Sequence, residues 1–274
     1  MARDLGRALE KAGPFTPNPD VRESRESWID FRHSHGRVRR YAALLTADDE
    51  NEKLAKSDLP SYSLSLAHAA TSGEWNVCRF STPGCRRGCV ADSGNGNYPD
   101  VRRGRTIRTL FLGKDPQAFV DLFHWELGRA VDRHGLIGNR FNAFADLAWW
   151  RIAPALFERG LDELIPYDYS KRPIDDLLDI PDHYRVVWSA SERSTDVDIL
   201  AAAERFPVAV VFPHDEPLPY AYLGLPVVDG DLNDERWLDV PGTIVGLRAK
   251  GHLKTQEGRK SLFIRRPERE LVSA

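Results

Sequence analysis

Six short apolar runs, separated for the most part by segments with helical signals, constrain the fold of this 274-residue chain more than any other feature. They lie at Tyr62–His68, Ile137–Phe144, Leu164–Tyr169, Tyr184–Ala190, Val208–Phe212 and Thr243–Leu247. Each has the length of a strand and is bounded by turn-forming residues. Helical patterns intervene near Leu147–Arg159, Ile174–Leu178 and Asp196–Arg205. The clearest helix is DPQAFVDLFHWELGRAVDRHG. There Asp115 can cap, Pro116 suits the first turn, apolar residues recur every three or four positions, and Gly135 ends the run. This rhythm favours an α/β fold with a parallel sheet. With right-handed crossovers its natural closure is a partial (βα)6 TIM-like barrel, and a doubly wound open sheet is the competing arrangement.

Residues 1–60 read differently, as an N-terminal helical and irregular extension ahead of a barrel-like domain at 61–274. A helix at Arg3–Lys11 is followed by a Pro-broken PFTPNP segment and a second helix around Trp28–Leu45. No stretch approaches the roughly 18 apolar residues of a membrane helix, and MARDLGRALEKAG lacks the apolar centre of a signal peptide. The expectation is a cytoplasmic protein with no membrane partner. A formal net charge of -3 argues against a nucleic-acid binder held mainly by global charge.

The chain has three cysteines, all in one loop at 73–98, with the spacing Cys-x6-Cys-x3-Cys at Cys78, Cys85 and Cys89. Pro83, Gly84 and Gly88 let the backbone fold around a common point, and in a reducing compartment clustered thiols point to metal binding. Thiolates are soft ligands for zinc, copper or iron–sulfur clusters. A structural zinc takes four protein ligands, and His68 is the nearest candidate for a fourth. Three thiolates on a four-iron cluster would leave one iron open to a ligand. The same region carries Arg79, Arg86, Arg87, Arg102, Arg103, Arg105 and Arg108 against only Asp92 and Asp100, a cationic patch for a carboxylate, a phosphate or a nucleic-acid strand.

Parallel sheets bind ligands at the carboxyl ends of their strands, so polar residues there carry functional weight. They are Asn142 and Asp146; Tyr169 with Ser170 and Lys171; Ser189 with Ser191 and Glu192; and His214 with Asp215. Helix capping by itself accounts for many residues of these types at such places. No GxSxG, HExxH or GxxxxGKS pattern is present. Asp229, Asp231 and Asp234 suggest a cation loop, but the glycine of a calcium turn is missing, which favours a turn closed by Arg236 salt bridges. Trp149, Trp150 and Trp188 read as core.

Together the cysteine loop, the SGNGN that follows it, RFNAFADLAW, YDYSKRP and VVWSASE resemble a family of uncharacterised actinobacterial and bacteriophage proteins, the phage gene-product-eighty-eight-like group. The resemblance spans roughly Tyr62 to Lys250. It departs at Cys89, which is followed by Val90 and Ala91 where members usually carry Cys-Tyr-Ala. More distantly, three cysteines after the first strand of a partial βα barrel are similar to radical S-adenosylmethionine enzymes. The spacing differs from the usual Cys-x3-Cys-x2-Cys, and no clear glycine-rich cofactor motif follows the second strand.

What this second likeness implies is a [4Fe-4S] cluster on Cys78, Cys85 and Cys89, with S-adenosylmethionine contacted by Asn142, Asp146, Ser189 and Ser191. Lys171, orienting an anionic substrate, and Glu192 would be the catalytic pair. The alternative is a zinc-stabilised nucleic-acid-binding protein that uses the arginine loop. A third reading, metal-independent hydrolysis or transfer by Lys171, Glu192 and His214, has no local motif behind it.

Overall fold

The computed structural model describes residues 2–36, 42–47, 59–158, 160 and 162–267. The N-terminal part contains β1 (Arg3–Asp4), α1 (Leu5–Ala12), α2 (Arg22–Ser34), β2 (Leu45–Ala47), β3 (Ser61–Leu64) and β4 (Trp75–Asn76). Then come α3 (Pro83–Arg87), α4 (Pro99–Lys114), α5 (Pro116–His134), β5 (Ile137–Arg140), α6 (Trp149–Ile152) and β6 (Leu164–Ser170). The last part holds β7 (Arg185–Ser189), α7 (Asp196–Ala203), β8 (Val208–Phe212), β9 (Ala221–Tyr222), β10 (Leu225–Asp229) and β11 (Ile244–Arg248).

Nine strands form one sheet in the order β2-β3-β5-β6-β7-β8-β11-β10-β9, parallel except for the two edge strands. All six strands expected from the sequence are present, parallel and neighbouring in chain order. The sheet is open, because the edges β2 and β9 do not pair with each other, so a closed TIM barrel is not formed. It is also wider than the sequence suggests. β10 and β9 extend it beyond β11, and LPVVD escapes notice because it holds a proline and alternates only between half-buried and exposed.

Strand alternation gives the sheet two different faces. Val186, Trp188, Val208, Val210, Phe212 and Ile244 point into the main core, which also receives Leu5, Trp28, Phe111, Phe119, Phe123 and Ile199 from the helices. The intervening Val187, Ala209 and Val245 form a separate small cluster with Tyr169 and Leu247 on the other face. The segment Arg236–Leu238 covers part of that face, with the Trp237 ring edge-on to Tyr167 at 5.1 Å. Every α-helix except the five-residue α3 therefore packs on one side of the sheet.

α5 forms as its sequence dictates: the Asp115 carboxylate accepts from Ala118 N–H at 3.1 Å, and Gly135, at φ +79°, closes the helix. Phe119 and Phe123 on this helix meet Trp149 at 6.1 and 5.5 Å, and each such aromatic pair adds roughly 0.5–1.5 kcal/mol beyond burial. Trp149, Trp150 and Trp188 are all core residues, as expected.

α5 also holds the N-terminal part. Buried Asp121 accepts from Asn18 N–H and Ser24 Oγ, and Glu126 accepts from the N–H groups of Leu44 and Leu45. The expected helix around Trp28–Leu45 is instead α2, which ends at Ser34; Leu45 begins an edge strand, and 37–41 lie outside the described residues. Of Leu147–Arg159, only Trp149–Ile152 is α-helical, followed by a 3-10 turn at Pro154–Phe157, with Arg159 outside the described residues. α4 is a 16-residue helix in a region read only as a basic loop. No helix among the described residues is long and apolar enough to cross a membrane.

Candidate functional site

The chain leaves β3 at Leu64 and crosses the carboxyl ends of the strands before returning through α4. Thr109 Oγ1 on α4 accepts from Ala67 N–H at 2.8 Å, and Ala69 then turns through a left-handed φ of +46°. That conformation is unfavourable for alanine, and here it directs the Ala69 N–H onto Cys78 Sγ at 3.3 Å. β4 carries the chain to Cys78 and pairs with β1, so α1 is anchored beside the loop. Cys78 donates from its thiol to the Phe144 carbonyl at 3.2 Å, in the loop that follows β5. Thr82 caps α3 by accepting from Cys85 N–H at 3.2 Å, with Pro83 in the first turn.

The three thiols are neighbours electrostatically. Burial pushes the Cys78 thiol well above its ordinary value, and Cys85 and Cys89 push in the same direction. Burial likewise takes Cys89 up to about 11; the Ala91 N–H opposes this, Cys85 and Asp92 add to it, and Lys171 opposes it. None of the three is in a disulfide. Among the described residues no group of three or more His, Cys, Asp or Glu is arranged to hold a metal ion. His68, the sequence candidate for a fourth ligand, is buried with its Nε2 3.1 Å from Asp92 Oδ2. That contact engages one of the two ring nitrogens and leaves Nδ1 as the atom that could face a ligand.

Loops from the next three strands close around the cysteines. Asn142 is fully engaged: its N–H and Nδ2 donate to the Asp168 carboxylate at 2.7 and 3.0 Å, Nδ2 reaches Leu147 O, and Oδ1 accepts from Leu147 N–H. It braces the loop that presents Phe144 and Asp146. Asp146 N–H donates to Val77 O, tying that loop directly to the cysteine segment. The Asp146 carboxylate, pushed up by burial, accepts from Ser170 Oγ at 2.8 Å and Lys171 N–H at 3.0 Å. Buried Arg172 lies 3.7 Å from it and also faces Glu10 of α1 at 3.6 Å, stacked between the Phe80 and Trp150 rings.

Beyond β7, Glu192 reaches into the cysteine loop. Its two oxygens accept from Thr82 Oγ1 and Gly84 N–H, both at 2.6 Å, which ties the start of α3 to the sheet. Partial burial raises the Glu192 pKa, but these hydrogen bonds outweigh it and hold the carboxyl below its ordinary value. A Cβ on residue 84 would lie 2.7 Å from Glu192 Oε2, so glycine is required for this approach. Ser189 contacts Lys171 Nζ at 2.5 Å, whereas Ser191 Oγ accepts from Arg193 N–H and shapes its own turn. His214 and Asp215 are held apart from this group by Arg259, at 3.2 and 2.8 Å. A strap after β11 covers the cysteine loop: Leu253 and Phe263 pack with Cys85, Phe263 also faces Lys171, and Arg265 donates to Ser191 O and Ser194 O.

The arginine patch is largely consumed by the fold. Arg105 and Arg108 are buried on α4 and donate to the carbonyls of Ala91, Gly96 and Ala43. Arg103 donates to His35 O, Arg102 meets Asn97 and Asp92, and Arg79 lies 3.6 Å from Asp4. The acidic loop is closed by salt bridges, as the sequence suggests, but from more cations than Arg236: Arg236 pairs with Asp239 at 3.1 Å, Arg248 with Asp229 at 2.9 Å, Lys250 with Asp231 at 2.8 Å and Arg140 with Asp234 at 3.2 Å. Asp168 and Arg172 escaped the sequence reading. A charged residue inside the apolar strand LIPYDYS was the available signal for Asp168.

The model of the family described as Gene product 88 matches residues 38–267, most of the chain. The chain belongs to that family. The match takes in β3, the cysteine loop and the carboxyl ends of the parallel strands of the nine-stranded sheet, so the site just described, apart from Glu10 and the rest of α1, is part of what the family model covers. No curated protein and no solved structure matches.

Proposed function

We propose that this member of the Gene product 88 family is an iron–sulfur enzyme of radical S-adenosylmethionine-like type, with Cys78, Cys85 and Cys89 as the cluster ligands. One placement carries the reading: three free cysteines in the loop after the first of six parallel strands that neighbour one another in chain order. A partial (βα)6 barrel would have its strands in that order, and in such folds ligands bind at the strand ends.

The donor set, three soft thiolates, is of the kind that suits an iron–sulfur cluster. Zinc would draw its thiolates to about 2.3 Å from one point, and no three ligating side chains among the described residues are arranged to do so. On a four-iron cluster the ligands from this chain would be Cys78, Cys85 and Cys89. With three thiols and no fourth, one iron would remain without a protein ligand. The zinc-stabilised nucleic-acid reading has less support, because most of its arginines already serve backbone carbonyls or carboxylates. When bound, such a cluster supplies the electron for reductive cleavage of S-adenosylmethionine.

The chain's own residues position and shelter the site. Glu192 fixes α3, Asn142 fixes the loop of Phe144 and Asp146, and Leu253 and Phe263 exclude water above Cys85. Because burial keeps Cys78 and Cys89 protonated, loading must displace protons and is favoured as pH rises. The test is anaerobic reconstitution of the full chain with iron and sulfide, read by absorbance and EPR. A cluster signal that S-adenosylmethionine perturbs, and that is lost when all three cysteines become alanine, is expected. No signal, or one that survives the triple substitution, refutes the reading.

A further inference from the structure

Two adjacent cations at the end of β6 have opposite fates. Arg172 is buried among Asp146, Glu10 and Asp176, at 3.6 to 3.7 Å. Lys171 is half-buried, and among the described residues no carboxylate is in ion-pair contact with its Nζ. Its contacts are the Ser189 hydroxyl at 2.5 Å and the Phe263 ring at 5.5 Å. The Asp146 carboxylate feels this charge without forming an ion pair with it, so the ammonium keeps donors free for a ligand.

Strand parity says where that ammonium points. Tyr169 lies with Val187, Ala209 and Val245 on the face of the sheet away from the helices, and Lys171 and Ser189 share its parity. On the same face Arg140 stacks over Tyr169 at 4.8 Å. Ser63, paired in register with Arg140, has a buried hydroxyl with no hydrogen-bond partner. Toward the mouth, the Lys171 charge is felt by Cys89. Among the described residues this face thus carries buried polar groups without hydrogen-bond partners, and the Lys171 ammonium on it is near Cys89.

We propose that Lys171 and Ser189 form an oxyanion site that takes the carboxylate or phosphate group of a small-molecule ligand. The ammonium supplies charge, the serine hydroxyl supplies a second donor, and Phe263 forms a dry wall that strengthens both. This deepens the cluster reading by naming the charge of the ligand, and it rests on that reading for the site's purpose. Its test, however, needs no cluster: oxyanion binding by the metal-free chain and cluster formation by the reconstituted chain can fail independently.

The experiment is isothermal titration of the full metal-free chain with inorganic phosphate and, separately, with acetate, at ionic strength fixed with chloride. Saturable binding of one probe is expected, and the probe that binds identifies the ligand group. Affinity should fall about tenfold or more in Lys171→Met, the loss expected of a charge-assisted hydrogen bond, and be largely kept in Lys171→Arg. Acylation mapped by mass spectrometry on the unsubstituted chain gives a second measurement, in which the bound probe should protect Lys171 and leave Lys11 and Lys114 reactive. If neither anion saturates, if Lys171→Met binds as tightly as the parent, or if Lys171 is not protected, the proposal is wrong.

Discussion

Replacing Glu192 with alanine should loosen the cysteine loop without disturbing the sheet. The carboxylate accepts two hydrogen bonds of 2.6 Å, from Thr82 Oγ1 and Gly84 N–H. A bond to a charged acceptor contributes about 1.5–3 kcal/mol, and solvent discounts this for a partly exposed group, so a total near 2 kcal/mol is reasonable. For a chain of this size that is roughly a 4–8 °C fall in melting temperature. The effect should also depend on pH. Glu192 is held below its ordinary value, so its contribution is complete above about pH 4.3 and disappears as pH falls through the lower folded value. Gly84→Ala should act through the same contact, because its Cβ would displace the carboxylate that a Cβ at 2.7 Å cannot tolerate. The two substitutions should therefore combine to much less than their sum. Thermal unfolding, hydrogen exchange at 83–89 and labelling of Cys85 measure all of this. A Glu192→Ala protein that unfolds and labels like its parent, or full additivity with Gly84→Ala, would refute the clamp.

Other consequences are testable in the metal-free protein. With its thiol pushed up to about 11, Cys89 should alkylate slowly at neutral pH and about tenfold faster for each pH unit up to that value; a plateau near pH 9, followed by mass spectrometry, would contradict the burial argument. Asp168 is raised to about 7, first by burial and against the Tyr184 and Asn142 hydrogen bonds, so it favours the folded state less and less as pH rises from about 4 to 7. Asp168→Asn should flatten that part of the stability profile, and an unchanged slope in thermal melts would count against it. Arg105→Leu leaves the Ala91 and Gly96 carbonyls without their donor, at a cost of about 2–5 kcal/mol in denaturant unfolding.

The sheet was legible because its strands announce themselves by local means. Val208–Phe212 is a continuous apolar run buried on both faces, and Asp115, Pro116 and Gly135 punctuate α5 unambiguously. What stayed hidden depended on distant partners. LPVVD becomes a strand only because β11 lies beside it, and LTA only because β3 does. α4 begins with a proline but its buried face includes Arg105 and Arg108, so no apolar stripe marks it. Within the site, the sequence located Asp146, Lys171 and Glu192 at strand ends and gave them ligand and catalytic roles, but did not show which loops Asp146 and Glu192 hold. Glu192 holds a loop 108 positions away in the chain, a relation that no local spacing encodes.

The arginines show why charge counted along a chain is a poor guide to charge presented by a fold. The cysteine loop is built mostly from short 3-10 turns and bends, which leave carbonyls without the partners that a long helix or a strand would provide. A guanidinium with five donors in a fixed fork answers that need better than any neutral side chain. Arg105 does so for Ala91 and Gly96, and outside the loop Arg108 serves the Ala43 carbonyl ahead of β2 in the same way. A loop that must bring thiols together without regular secondary structure will therefore tend to be rich in arginine whether or not it meets an anion. Among the cations at the strand ends, Lys171, with a hydroxyl and a ring for neighbours, is the one to examine for ligand binding.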